Sequence, residues 1–214
     1  MKRVFYTKRE EQFNAWSHFG GIILGIVAGT LLLIQAWKLE GCLPFWSVIL
    51  YVFGMLSSYF SSTFYHRTRF HSKWRTRLRH IDHAAIYWHI AGSYSPILLI
   101  GLRNSGVWGW ALFLFIWIFA FIGTIASFRK MEKHSNIETA CFLIMGLTLV
   151  CALKPILEMI DPIVLYWVFG EGVCFIVGAA FYSFHSLRYM HSVFHFFVLG
   201  GSICHIIALW FLLR

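Results

Sequence analysis

Read along the chain, polar residues fall into short clusters that separate seven apolar stretches, each of about 17 to 23 residues and so able to cross a hydrocarbon core of roughly 30 Å as a helix. The stretches lie near residues 17–37, 44–65, 84–102, 106–128, 137–153, 162–184 and 192–213. The connections are short and no internal repeat divides them. The pattern therefore predicts one all-α domain over residues 1–214, a seven-transmembrane helix bundle. The run after "MKRVFYTKREEQFNAW" is followed by six more, so it reads as a first span and not as a cleaved leader. Pro96, in "GSYSP" inside the third stretch, predicts a kink there.

Composition agrees with this reading. The chain is 59% hydrophobic and 13% charged, with a mean hydropathy of +0.68, too little polar surface for a water-soluble globule of 214 residues. A net charge of +9 would suggest nucleic acid in a soluble domain; in a membrane protein it bears on sidedness, and no nucleic-acid partner is expected. Of the 18 lysines and arginines, all but Lys38, Arg103, Lys154 and Arg214 lie in the N-terminal tail or in the connections after the second, fourth and sixth stretches. The positive-inside rule then predicts a cytoplasmic N-terminus and an external C-terminus, with the basic loops meeting anionic headgroups. The five cysteines, Cys42, Cys141, Cys151, Cys174 and Cys204, form no CxxC pair and read as small buried hydrophobes.

The topology brings scattered polar residues to one depth. His191 and His195, in "HSVFH", begin the last span; His66, in "SSTFYH", ends the second; Asp82, in "LRHIDHAAIYWH", precedes the third on the same side. Positions i and i+4 share a helix face with Cβ atoms about 5–6 Å apart, which lets two imidazoles converge on one ion. With His66 they make a three-histidine set, the pattern of catalytic zinc whose fourth position is open to water. Asp82 could orient that water or take its proton. The HxxxH motif lacks the glutamate of zincins, so any base must come from another helix. The same pair would also serve as two polar residues on a bundle-facing stripe. What favours a metal is the convergence with His66 and Asp82, because ionisable groups at membrane depth are costly and usually functional.

Other polar residues sort by helical geometry. Ser62 lies one turn before His66 on the same face, where its hydroxyl supports a ligand, meets substrate or simply packs. His89, seven residues past Asp82, shares its face about 10 Å deeper and suits a cavity lining. Glu171 is the one carboxylate expected near the midplane: protonated, hydrogen-bonded to a neighbour, or part of a polar cavity. His205 stands about 21 Å from His191 along the axis and cannot join the same site. His71, His80, His83, His134 and His185 are expected to face water or headgroups.

Four motifs, "EEQFNAWSH", "SSTFYH", "IDHAAIYWHIAGSYSP" and "HSVFHFFVLGGSICH", resemble in order and spacing the hemolysin III family, the bacterial branch of the progestin and adipoQ receptors, over essentially the whole chain. The resemblance implies a seven-helix bundle with one zinc ion per chain near the cytoplasmic side, held by His66, His191 and His195, with Asp82 linked to it through water and Ser62 beside it. It also implies a bacterial inner-membrane location. Glu11, Asn14 and His18 match the family's N-terminal pattern and by position cap or pin the first helix. His89 and Glu171 depart from the family's pattern.

Three functions are open at this stage: a zinc-dependent hydrolase acting on an amide or ester bond of a membrane lipid, ceramide-like or another acyl lipid; a receptor-like or membrane-homeostasis protein with structural zinc; and a cytolysin, as the family's name implies. A membrane di-iron oxygenase would need several histidine boxes, and only one HxxxH is present.

Overall fold

The first helix is set by its cap. In the computed structural model, which describes residues 6–129, 136–184 and 187–214, the Thr7 hydroxyl accepts from the Glu10 N–H at 3.2 Å and Glu10 Oε2 accepts from the Thr7 N–H at 2.7 Å. This capping box starts α1 at Lys8, well before the expected residue 17, and α1 runs to Trp37. It is followed by α2 (Leu43–Arg67), α3 (Trp74–Pro96) and α4 (Trp108–Arg129). Next come α5 (Asn136–Gly146), a 3₁₀ turn (Thr148–Ala152) and α6 (Leu153–Met159), which together make the fifth span. The last two helices are α7 (Pro162–Ser183), capped by Asp161, and α8 (Met190–Leu212).

Among the described residues, six spans are long and apolar enough to cross a membrane: α1, α2, α4, the α5–α6 pair, α7 and α8. Between 17% and 44% of each crossing stretch is buried by protein, so most of its surface faces outward. Large apolar side chains such as Phe53, Phe121, Tyr166 and Phe169 are exposed all round the bundle, which only a hydrocarbon solvent makes favourable. The chain is a multi-pass integral membrane protein. The cysteines fit the same logic against expectation: all five are free, Cys42 and Cys151 are exposed and the others half-buried. An apolar solvent outside removes any need to bury them.

The seventh helix, α3, is the exception. It starts ten residues earlier than its apolar stretch, because Arg75, Arg77 and Arg79 are good helix formers that an apolar count passes over. Its far half is enclosed by protein, with every residue from Ala91 to Leu99 buried. A half-helix enclosed by protein can carry Ser93 and Ser95, with His89 just before it, where the outer helices carry Phe and Ile. The disturbance expected at Pro96 takes the form of a π-helical turn over Ile97–Gly101, since proline has no N–H for the regular ladder.

Two glycines set the distance between α2 and α3. A Cβ on Gly54 would lie 2.2 Å from the Trp88 carbonyl oxygen, and one on Gly92 would lie 2.6 Å from the Leu50 oxygen. The two backbones therefore touch, as small residues allow between helices in a membrane. Gly54→Ala is expected to cost about 1–3 kcal/mol by forcing the helices apart. Gly172→Ala, whose Cβ would meet nothing within 4 Å, should be neutral or slightly stabilising. Thermal unfolding of both variants in detergent checks this.

Candidate metal centre

Three imidazoles converge at the end of the bundle where α1 begins. His66, on the last turn of α2, is 3% exposed and His195, on the second turn of α8, is 1% exposed; His191, one turn before His195, is half-buried. His191 Nε2 lies 3.2 Å from His66 Nε2 and 3.0 Å from His195 Nε2. The ligand atoms of the three all fall within 4.8 Å of one another.

The far sides of the rings reveal what these nitrogens are. His66 Nδ1 is 2.6 Å from Glu11 Oε2, and a carboxylate can only accept, so Nδ1 carries the proton. His195 Nδ1 donates to the Asn14 carbonyl at 3.2 Å and to Ser17 Oγ at 3.1 Å, which fixes the same tautomer. Both rings therefore turn an Nε2 lone pair inward. Lone pairs about 3 Å apart repel unless a cation or proton sits among them. Tetrahedral zinc with Zn–N bonds of 2.0–2.1 Å separates its nitrogen ligands by roughly 3.3 Å, close to the spacings seen here. Acceptors behind Nδ1 are also what orient metal-binding histidines. The donor set fits a metal ion.

Most of this support comes from α1, whose part in the site was not legible in the sequence beyond a capping or pinning role. Glu11, Asn14 and His18 lie on one face of the helix. Glu11 grips His66 and also accepts from Arg75 on α3; the Asn14 side chain accepts from Ser192 Oγ at 2.6 Å; the His18 ring stacks on His195 at 3.6 Å and 10°. Glu10 accepts from the Tyr189 N–H at 2.8 Å, holding the left-handed residue (φ 63°) that opens α8. The i, i+3, i+7 spacing of three polar residues ahead of an apolar run was the available signal. Tyr6 stacks on His191 at 5.0 Å, and burial, with Tyr182 and Tyr65 nearby, pushes its phenol well above the ordinary range. It covers the cluster as a neutral ring.

A cavity of about 220 Å³ extends inward from the cluster, between α2 and α3 on one side and α5, α7 and α8 on the other. Asp82, Ser62, His191 and His195 all line it, the Ser62 hydroxyl lying near the Asp82 carboxylate. His89 and Glu171 line it further in, among apolar side chains such as Phe142, Phe175 and Val198. Glu171 resolves as a hydrogen-bonded group: its Oε2 is 2.7 Å from His205 Nδ1, both residues being buried, and His205 is no part of the metal cluster.

Two of the loop histidines depart from expectation. His80 Nδ1 is 2.5 Å from the Ser127 carbonyl oxygen on α4 and His83 Nδ1 is 2.7 Å from Glu138 Oε2 on α5. Because α3 begins at Trp74, these positions are helical and tie it to its neighbours. His71 is exposed as expected; His134 and His185 lie outside the described residues.

Comparison with known proteins places the chain in a family. Residues 6–206 match the model of the family described as "Haemolysin-III related". The chain is 35% identical to "Hemolysin-3" of Bacillus cereus, over 94% of this chain and 91% of that protein. It is 33% identical to the "Hemolysin-3 homolog" of Bacillus subtilis (strain 168), over 92% and 91% respectively. Human "Monocyte to macrophage differentiation factor" is 26% identical over 95% of this chain and 84% of its own length. A match that runs from before the first helix into the last, together with relatives aligned over nine-tenths of their length, makes this chain a member of the Haemolysin-III related family.

Proposed function

We propose that this protein is a zinc-dependent hydrolase of the bilayer interface, acting on an amide or ester bond of a membrane lipid. The observation that carries the reading is the inward convergence of three Nε2 atoms, two with the opposite nitrogen held by an acceptor, at the mouth of a largely apolar cavity. His66, His191 and His195 would hold the ion. When bound, zinc supplies Lewis acidity, polarising a carbonyl and making water acidic enough to attack near neutral pH. Asp82 is the proton acceptor for that attack at a carboxylate oxygen, and Ser62 orients it. The apolar walls beyond hold an acyl chain and exclude bulk water, which strengthens every charge interaction at the mouth.

One observation favours a second reading, in which the metal is chiefly structural: its ligands come from α2 and α8 and are braced by α1, so binding would also tie three helices together. The Asp82 variant below separates the two.

The distribution of Lys and Arg supports a cytoplasmic N-terminus in a bacterial inner membrane. The end of α2, the connection after it and the first turns of α3 carry Arg67, Arg69, Lys73, Arg75, Arg77 and Arg79 beside exposed Phe70 and Trp74, a composition suited to anionic headgroups. The hydrolytic site would then face the inner leaflet.

Three outcomes are expected. Purified wild type should carry about one zinc per chain, while His195→Ala should lose most of it and unfold at lower temperature; Glu11→Ala should weaken zinc binding about 10–100-fold, and His205→Gln should keep its zinc. Metal analysis after gel filtration that finds the His195 and His205 variants equal would overturn the assignment. Asp82→Asn should keep its zinc and lose about 10²–10⁴-fold in lipid hydrolysis; loss of zinc would make it a ligand, and unchanged zinc with no turnover even in wild type would leave the structural reading. A reporter that fluoresces only in the cytoplasm should stay dark when fused after Arg214, and a bright fusion would reverse the orientation.

A further inference from the structure

His18 has no task in the scheme above, yet it is 4% exposed and lines the cavity immediately inward of the metal ligands. Both of its ring nitrogens are buried, and neither has a hydrogen-bond partner among the described residues. One face of its ring stacks on His195, and the Tyr59 ring stands perpendicular to it at 5.1 Å and 81°. The Tyr59 hydroxyl is spent on Ser202 at 2.7 Å. A buried polar atom left unsatisfied costs its full desolvation penalty, and phenylalanine would fill the same stack without that cost. A histidine here makes chemical sense if its edge meets something that enters the cavity.

A neutral imidazole presents one donor and one acceptor. The donor is easily met, since any lipid carbonyl, ester or carboxylate oxygen accepts. The acceptor nitrogen discriminates, because it needs an N–H or O–H, which an ester or a carboxylate does not have. We propose that His18 is a specificity-determining residue that binds the polar group of a lipid in the cavity and selects ligands with a hydrogen-bond donor there, a secondary amide before the corresponding ester. The selection deepens the hydrolase reading and rests on it for the pose of the lipid, carbonyl at the metal end and chain along the apolar wall.

The test uses two probes that differ only in N–H for O, N-ethylpalmitamide and ethyl palmitate, with binding read by native mass spectrometry of the zinc-loaded protein in detergent. Wild type should hold the amide about tenfold more tightly than the ester, the effect of one net hydrogen bond. His18→Phe keeps a ring against His195 and should bind the two alike, with full zinc content and a melting temperature equal to or above wild type. His18→Gln, which carries both a donor and an acceptor, should retain the amide preference. Equal binding of the probes by wild type, or an amide preference that survives in His18→Phe, overturns the proposal. So does loss of zinc in His18→Phe to the extent seen in His195→Ala, which would make His18 only a brace for that ligand. The two readings fail separately: a zinc-free wild type overturns the hydrolase, while the same comparison of amide with ester, made on the protein as purified, still decides the role of His18.

Discussion

The site depends on the hydrogen bonds that α1 accepts from rings on other helices. Glu11 and the Asn14 carbonyl each accept a hydrogen bond from the outer N–H of an imidazole, and that decides where the lone pairs go. Without those acceptors His66 and His195 could adopt either tautomer, and the inward face would carry N–H groups in some molecules and lone pairs in others. The price of burying Glu11 is offset from two sides, by His66 and by Arg75. One carboxylate thereby fixes a ring on α2 and a guanidinium at the start of α3.

The surrounding lipid explains where all the polar chemistry went. A bundle whose outer face is Phe, Ile and Leu can keep ionisable groups only inside, where each must find a partner. Several of the described interior groups do so in pairs across helices: Glu171 with His205, His83 with Glu138, His66 with Glu11. Against that background the unpartnered edge of His18 stands out as the site's open valence.

Much of this was legible from the chain, for a geometric reason. The i, i+4 spacing of His191 and His195 is a property of one helix, and counting apolar spans puts His66, Ser62 and Asp82 at the same end; the structure gathers the three imidazoles and sets Ser62 and Asp82 on the wall of the cavity that His191 and His195 also line. Pairing between helices is a different matter. That Glu171 meets His205, or that His80 and His83 leave the headgroups for α4 and α5, depends on the rotation of each helix about its axis, which no single stretch specifies. The true start of α3 was hidden because its first turns are basic, and that of α1 because apolar counting ignores the capping box written in Thr7 and Glu10.

The backbone contact at Gly54 and Gly92 has a mechanical side. Where α2 and α3 touch without intervening side chains they move as one body, so Ser62, His66 and Asp82 ride together. His191 and His195 belong to a different body, the tightly packed pair of α7 and α8. The cavity runs along the seam between the two, and at the end where the histidines meet, α1 is the hinge plate screwed to both leaves. An ion held by one leaf's single imidazole and the other's two would work as a clasp. The stiffness of this seam, more than the fit of any single ligand, sets how wide the lipid-facing groove can open while the clasp stays shut.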